Sequence, residues 1–373
     1  MGDVNYYPSP FVSMRSSRSG VAFHDLFTGR QMVLGKGVGD RLAGVFNGEV
    51  GFEAFAAEFP DEAGKVIANS MVMTEAPPGA YLRAMVSSLD IEPAGSCNAV
   101  CGMCPRGAMT REKSVMSEET FGAICRQLAG EFGAAVRRVL FCGFGEPLQN
   151  PRLAEMSRGI RKVTPGAMIT VISNGQLLTR EVIEGLVKSE VDVFSCSFQS
   201  NQKRKYEALM RGLIYETTVN GLVELLAAAR GTRLKVCINV TAMDENRDEI
   251  PAMMAEWGQR GAQVVVNTLH NRGGFLKLEG LARRGSSATV ARCGLMNSRV
   301  FISSEGEVLS CCHDLTGDTR IGNINSEPLK EILMRRLGRI GRSELYPICG
   351  SCTDDSALVT VGVESRQSGA KFC

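Results

Sequence analysis

No stretch of about 18 apolar residues occurs in the chain, so a membrane-spanning helix is not expected. Charge of one sign is not in excess either. Against 42 basic residues stand 40 acidic ones, a net of +2, with no long basic run. Nucleic acid and an anionic membrane surface are therefore disfavoured as main partners. The N-terminal MGDVNYYPSPFVSMRSS lacks the apolar core of a signal peptide. Tyr6 stands where an N-myristoylation signal needs Ser or Thr, which excludes that anchor. Apolar residues at 44% and charged residues at 22% describe an ordinary globular composition, and 373 residues call for two or three domains.

Cysteine is what the chain has in excess, with thirteen. With no sign of export, metal or catalytic use is expected before disulfides, in a cytoplasmic, oxygen-sensitive protein. Cys97, Cys101 and Cys104 form a CxxxCxxC run, three thiolates in one short loop. Such a trio suits a [4Fe–4S] cubane, each thiolate holding one iron while a fourth iron keeps no protein ligand. Zinc wants a closed tetrahedron, and the nearest candidate histidines, His24 and His270, are far along the chain. The expectation is a cluster that binds and reduces a small molecule at its open iron.

Strand-like and helix-like patterns alternate from about residue 83 to 285. Strands are expected at 83–93, 137–143, 167–173, 192–198, 233–239 and 263–269. Helices are expected at 117–130, 151–163, 179–188, 202–230 (broken near Gly212) and 246–260. The fold class is thus α/β: a partial (β/α)6 barrel over 81–285, a small α+β module over 1–80, and a cysteine-rich region over 286–373. Chemistry in such sheets sits at the C-terminal strand ends, where the cysteine loop lies.

CxxxCxxC after a strand, followed 39 residues later by Gly143-Phe144-Gly145-Glu146-Pro147, resembles the radical SAM enzymes. The resemblance implies that the open iron chelates S-adenosyl-L-methionine. It implies reductive cleavage to a 5′-deoxyadenosyl radical that takes a substrate hydrogen atom, with an external electron donor such as flavodoxin or ferredoxin. It implies further that Gly143, Gly145, Glu146 and Pro147 contact the methionine amino group. Ser173 and Asn174 would contact the ribose, and Ser197 and Asn239 the ribose or carboxylate. A plain turn at Gly143–Pro147 and simple helix caps at the strand ends are the alternatives.

Past residue 285 the alternation stops. Cys293, a hairpin pattern around Glu305-Gly306, Cys311 and Cys312, then Cys349-Gly-Ser-Cys352 form a second group. By spacing alone a zinc ribbon is the alternative. It also resembles the SPASM auxiliary-cluster domain in its shorter twitch form, since Cys293, Gly306 and Cys311 fit the SPASM opening and only Cys373 follows Cys352. That resemblance implies one auxiliary [4Fe–4S] cluster on Cys293, Cys311, Cys349 and Cys352, with Cys312 the alternative to Cys311, and an electron-transfer role.

Residues 10–75 read as a hairpin followed by amphipathic helices, a winged-helix-like module. They weakly resemble the leader-binding RiPP recognition elements, with a structural cap as the alternative; an exposed sheet edge would take up a leader peptide as an added strand. The substrate expected is therefore a peptide, modified in natural-product biosynthesis. The alternative is dehydrogenation or epimerisation of a small molecule, a sugar or aminocyclitol. A non-catalytic iron–sulfur or zinc scaffold is a third class. Tyr206, Arg211, His270, Asn271 and Arg272 are candidates for substrate contact, with a solvated helix face as the bland alternative for the first two. Cys142, Cys196, Cys237 and Cys373 are candidates to return a hydrogen atom, although strand cysteines are more often small buried hydrophobes.

Overall fold

The structure is a computed structural model that describes residues 6–9, 12–25, 30–69, 71–74, 78–130, 132–277, 293–341, 344 and 346–354. Its first elements are β1 (Tyr6–Pro8), β2 (Val12–Ser16), β3 (Gly20–Asp25), β4 (Gln31–Gly35), α1 (Lys36–Phe46), α2 (Phe52–Glu58), α3 (Pro60–Ala68) and β5 (Val72–Thr74). Where a hairpin was expected, three antiparallel strands run in the order β2-β3-β4, and β1 pairs with β5. Alternation along β4 buries Met32 and Leu34 and exposes Gln31 and Val33. Those buried residues join Phe23, Leu42, Phe55 and Val66 in a core separate from the rest of the protein.

The segment expected as a first strand from residue 83 begins instead in helix α4 (Pro78–Met85), whose Leu82 and Met85 are fully buried. The strand proper, β6, is only Ser88–Ile91. After it come α5 (Glu118–Leu128), β7 (Arg138–Phe141), α6 (Leu153–Val163), β8 (Met168–Ser173), α7 (Arg180–Val187), β9 (Val193–Ser197), α8 (Lys203–Leu209), α9 (Tyr215–Ala229), β10 (Lys235–Ala242), α10 (Ile250–Gln259) and β11 (Gln263–Thr268). Ser117 and Thr179 cap α5 and α7 by accepting from the amides of Thr120 and Val182. Gly212, at φ +92°, makes the expected break between α8 and α9.

The remaining elements are α11 (Gly294–Ser298), β12 (Arg299–Ile302), β13 (Glu307–Leu309), β14 (Arg320–Asn323), α12 (Leu329–Gly341) and α13 (Pro347–Ser351). Among the described residues nine strands form one open sheet, β11-β10-β9-β8-β7-β6-β12-β13-β14. Strands β6 to β11 are parallel, as the alternation predicts. The C-terminal hairpin extends that sheet rather than standing apart, because β12 pairs in parallel with β6 through Arg299↔Ser88 to Ile302↔Ile91. Among the described residues no helix is long and apolar enough to cross a membrane.

Candidate functional site

The loop that carries Cys97, Cys101 and Cys104 leaves β6 at its C-terminal end. Two backbone bonds tie it to the end of α8: the Val100 amide donates to the Arg211 carbonyl (2.8 Å) and the Gly102 amide to Leu209 (2.9 Å). Burial, and then the charges of Cys104 and Cys97, push the Cys101 thiol up to about 12. Burial raises Cys97 as well. Thiols held protonated in this way become thiolates when a metal takes the place of the proton.

Against this loop lies the Gly143–Pro147 turn after β7. A side chain on Gly145 would meet the Ala94 carbonyl at 1.8 Å, and one on Gly143 would strike the Glu92 carboxylate at 2.5 Å, so two glycines are needed for the approach. Glu146 is buried and fully engaged: its carboxylate accepts from Ser173 Oγ (2.6 Å), the Asn174 amide (2.8 Å) and the Leu148 amide (3.0 Å). Asn174 Nδ2 in turn donates to Asn98 Oδ1 (2.7 Å), inside the cysteine loop. The ends of β6, β7 and β8 are thereby locked to one another.

A second lock is one that no motif signals. Arg111 Nη1 donates to Glu92 Oε2 (2.9 Å), both side chains being nearly fully buried. Glu92 Oε1 also accepts from the Phe144 amide (3.0 Å), and Arg111 Nε donates to the Asp314 carbonyl (2.9 Å). The cysteine loop, the glycine turn and the C-terminal region therefore share one buried ion pair.

The second cysteine group separates its two adjacent members. Burial raises the Cys311 thiol, and Cys312, Cys293 and Cys349 raise it further. Cys293, pushed up to about 11 by burial, feels Cys349 and Cys352. Cys312, pushed up to about 12 by burial and then by Asp90, instead has Arg299, Asp354 and Arg272 among its neighbours. Beside Cys311 and Cys293 sits Arg336, fully buried. It donates to the carbonyls of Leu295 (2.9 Å), Arg299 (2.6 Å) and Ser310 (3.2 Å), while its Nε and Nη1 have no partner among the described residues. A buried cation with two unmatched nitrogens fits an anionic group in that place.

Two histidines and a carboxylate also converge, with His313 Nε2 and Asp354 Oδ2 at 2.7 Å and His270 Nε2 at 3.7 Å from the same oxygen. Among the described residues this is the one set of three His, Cys, Asp or Glu ligand atoms mutually within 4.8 Å.

The sequence profile of the Radical SAM superfamily matches residues 91–256, and that of the SPASM iron–sulfur cluster-binding domain matches residues 293–353. The chain carries a radical SAM domain followed by a SPASM domain. The GTP 3′,8-cyclase of Chlorobaculum tepidum is 31% identical over 177 residues, 47% of this chain and 48% of that one, so the match spans about half that relative's length. The S-adenosyl-L-methionine-dependent 2-deoxy-scyllo-inosamine dehydrogenase of Niallia circulans is 22% identical over 72% of this chain and 94% of its own. Among solved structures, Streptococcus suis SuiB bound to precursor peptide SuiA superimposes with a TM-score of 0.57 at 16% identity, covering 93% of each chain. That likeness establishes the fold alone.

Members of the radical SAM superfamily are enzymes with iron–sulfur clusters. The two domains imply a [4Fe–4S] cluster that binds S-adenosyl-L-methionine and an auxiliary iron–sulfur cluster. Within that frame the structure gives the expected contact residues the following places. Glu146 and Ser173 brace the radical SAM loops from within: the Ser173 hydroxyl donates to Glu146 and accepts from the Gly175 amide (3.0 Å). Asn239 does not end its strand, since β10 continues to Ala242; its side chain meets Asn267. Ser197 does end β9, directly beside Asn239 in register. Tyr206 is fully buried against Phe198, and its hydroxyl bonds Thr218 (2.9 Å). Cys196 and Cys237 are fully buried within β9 and β10, the bland alternative for strand cysteines. Cys142 follows β7, its thiol raised by burial and then by Asp90 and Cys312. Arg211 is exposed beside the cysteine loop, and Cys373 lies outside the described residues.

Proposed function

We propose that this radical SAM enzyme modifies a peptide, which it recognises through its N-terminal module. The observation that carries the reading is the β2-β3-β4 sheet, with its own core and with no strand beside β2 or β4 among the described residues. On β4, Val33 is 73% exposed, an apolar side chain on an open edge. Such an edge takes an extended peptide as a further strand, its backbone supplying affinity and alternate side chains supplying choice. SuiB, whose fold this chain shares along its length, is solved with a precursor peptide, and that agrees with the reading.

Cys97, Cys101 and Cys104 would hold the first cluster, and Cys293, Cys311, Cys349 and Cys352 the auxiliary one, leaving Cys312 outside. When bound, these groups and S-adenosyl-L-methionine supply reductive chemistry that ends in abstraction of a substrate hydrogen atom. The chain's own residues do the placing. Gly143 and Gly145 let the backbone reach the cofactor, and the Glu146–Ser173–Asn174–Asn98 network fixes the three loops around it. Arg336 balances charge at the auxiliary group. Val100, 68% exposed, and Arg211 beside it form the surface on which an acidic flavodoxin or ferredoxin would deliver its electron.

A second reading, two-electron oxidation of an aminocyclitol-like alcohol, draws on the match that spans nearly all of the Niallia dehydrogenase. One experiment separates the two. Short open reading frames beside the gene are expressed as peptides and titrated against the wild type and Val33→Asp. Peptide reading: a peptide changes mass on turnover, and Val33→Asp weakens its binding about tenfold or more while deoxyadenosine formation without peptide is unchanged. A peptide that binds both proteins equally, or oxidation of polyols alone, would sink that reading.

A further inference from the structure

We propose that His270, His313 and Asp354 form a mononuclear site for a divalent transition-metal ion, zinc first, distinct from both iron–sulfur sites. The three residues come from separate segments. His270 follows β11, His313 follows the Cys311-Cys312 pair, and Asp354 follows Cys352. What brings them together is the loop after β11. Asn271 Nδ2 donates to the Ser351 carbonyl (2.5 Å), its amide donates to Thr353 Oγ1 (3.0 Å), and its Oδ1 accepts from the Thr353 amide (3.0 Å). The ion would thus sit where the last barrel loop meets the cysteine-rich region.

The spacing is that of a coordination shell. Both Nε2 atoms converge on one carboxylate oxygen, at 2.7 and 3.7 Å, and all three ligand atoms lie within 4.8 Å of one another. Metal–nitrogen and metal–oxygen bonds near 2.1 Å place neighbouring ligand atoms about 3.0 Å apart in an octahedron and about 3.4 Å apart in a tetrahedron. The separations of 2.7 and 3.7 Å bracket those values. Imidazole with carboxylate is a donor set that zinc and its neighbours accept, whereas magnesium and calcium prefer oxygen alone.

The ring tautomers decide whether an ion can enter. His313 is 2% exposed, and its Nδ1 has no partner among the described residues. No hydrogen bond therefore opposes moving the ring proton to Nδ1 and freeing the Nε2 lone pair. His270 is held more weakly the other way, its Nδ1 accepting from the Arg272 amide at 3.3 Å. Releasing that bond needs a small turn of the loop. Arg272, at φ +50°, is the one non-glycine in the left-handed region among the described residues, and left-handed Gly273 and Gly274 follow it. Three protein ligands leave a position for water or for a hydroxyl or carboxylate oxygen of a bound molecule. His270, the half-buried ligand, marks the accessible side.

The inference does not depend on the peptide reading, and metal content tests it directly. Full-length protein carrying both clusters is incubated anaerobically with Zn²⁺ or Co²⁺, desalted, and analysed for metal, iron and sulfide. One equivalent of zinc or cobalt is expected beyond the cluster iron. The cobalt form should show d–d bands without thiolate charge-transfer absorption, which tells this site from an empty cysteine site. His313→Ala and His270→Ala should each lose that equivalent with iron and sulfide unchanged. His270 is the more exposed ligand, so its variant keeps the test valid if His313→Ala does not fold. Absence of extra metal, retention of it in His270→Ala, or thiolate bands in the cobalt spectrum would each overturn the site and leave a hydrogen-bonded His–Asp–His cluster.

Discussion

The two cysteine groups are held in opposite ways. The first is local: three cysteines in one loop, fixed by backbone bonds to the end of α8 and by the packing of Gly145 on Ala94. Its three cysteines need no other segment to bring them together. The second is assembled from the start of α11, the end of the β13 hairpin and the α13 turn, and beside its Cys293 and Cys311 lies a buried guanidinium whose Nε and Nη1 have no partner among the described residues. There the protein leaves a charge for the bound group to satisfy. A site that must admit a cofactor and a reductant is preformed and partly open; a site that only holds charge is built around that charge.

This contrast predicts different failures. Cys97→Ala should abolish cleavage of S-adenosyl-L-methionine, read as no deoxyadenosine by chromatography. Cys349→Ala should keep that cleavage in the absence of substrate while losing about four of eight irons. Equal loss of cleavage in both would show that the groups are not independent. Next in size is Arg336→Met. In the cluster-loaded protein, removing a buried, hydrogen-bonded cation should cost about 3–5 kcal/mol in denaturant unfolding. In the stripped protein the cost should be clearly smaller, because Nε and Nη1 there have nothing to lose. Cys311→Ala against Cys312→Ala sharpens the same point: the first should halve the iron and the second should leave it unchanged.

What the sequence disclosed follows the same division. Alternating apolar runs gave six parallel strands and their helices, since each βα unit is a local pattern. Local spacing likewise located both cysteine groups. Contacts across long separations were not legible. The pairing of Arg299 with Ser88 depends on where the sheet's free edge falls, so the C-terminal hairpin read as a separate unit. The ion pair of Glu92 with Arg111 is made by two ordinary charged residues in loops. The burial of Tyr206 was not legible either, because a helix after a strand end faces either core or solvent, and its packing on Phe198 is a contact between separate segments. Glu146 sits in a motif associated with ligand contact, and its carboxylate also accepts from three internal donors that no motif signals.

That last point carries the smallest effect and the finest test. If Glu146 and Ser173 act as braces, Ser173→Ala removes one hydrogen bond from a buried carboxylate that burial already biases toward protonation. The loss should be about 1–3 kcal/mol of stability, because one lobe of the carboxylate is left with fewer donors. Affinity for S-adenosyl-L-methionine should fall only as far as the loops loosen, about tenfold at most. A direct ribose contact from Ser173 would give the reverse pattern, with stability kept and affinity reduced further. Unfolding and equilibrium binding measured on the same preparation therefore decide whether this motif residue holds the cofactor or holds the loops that hold it.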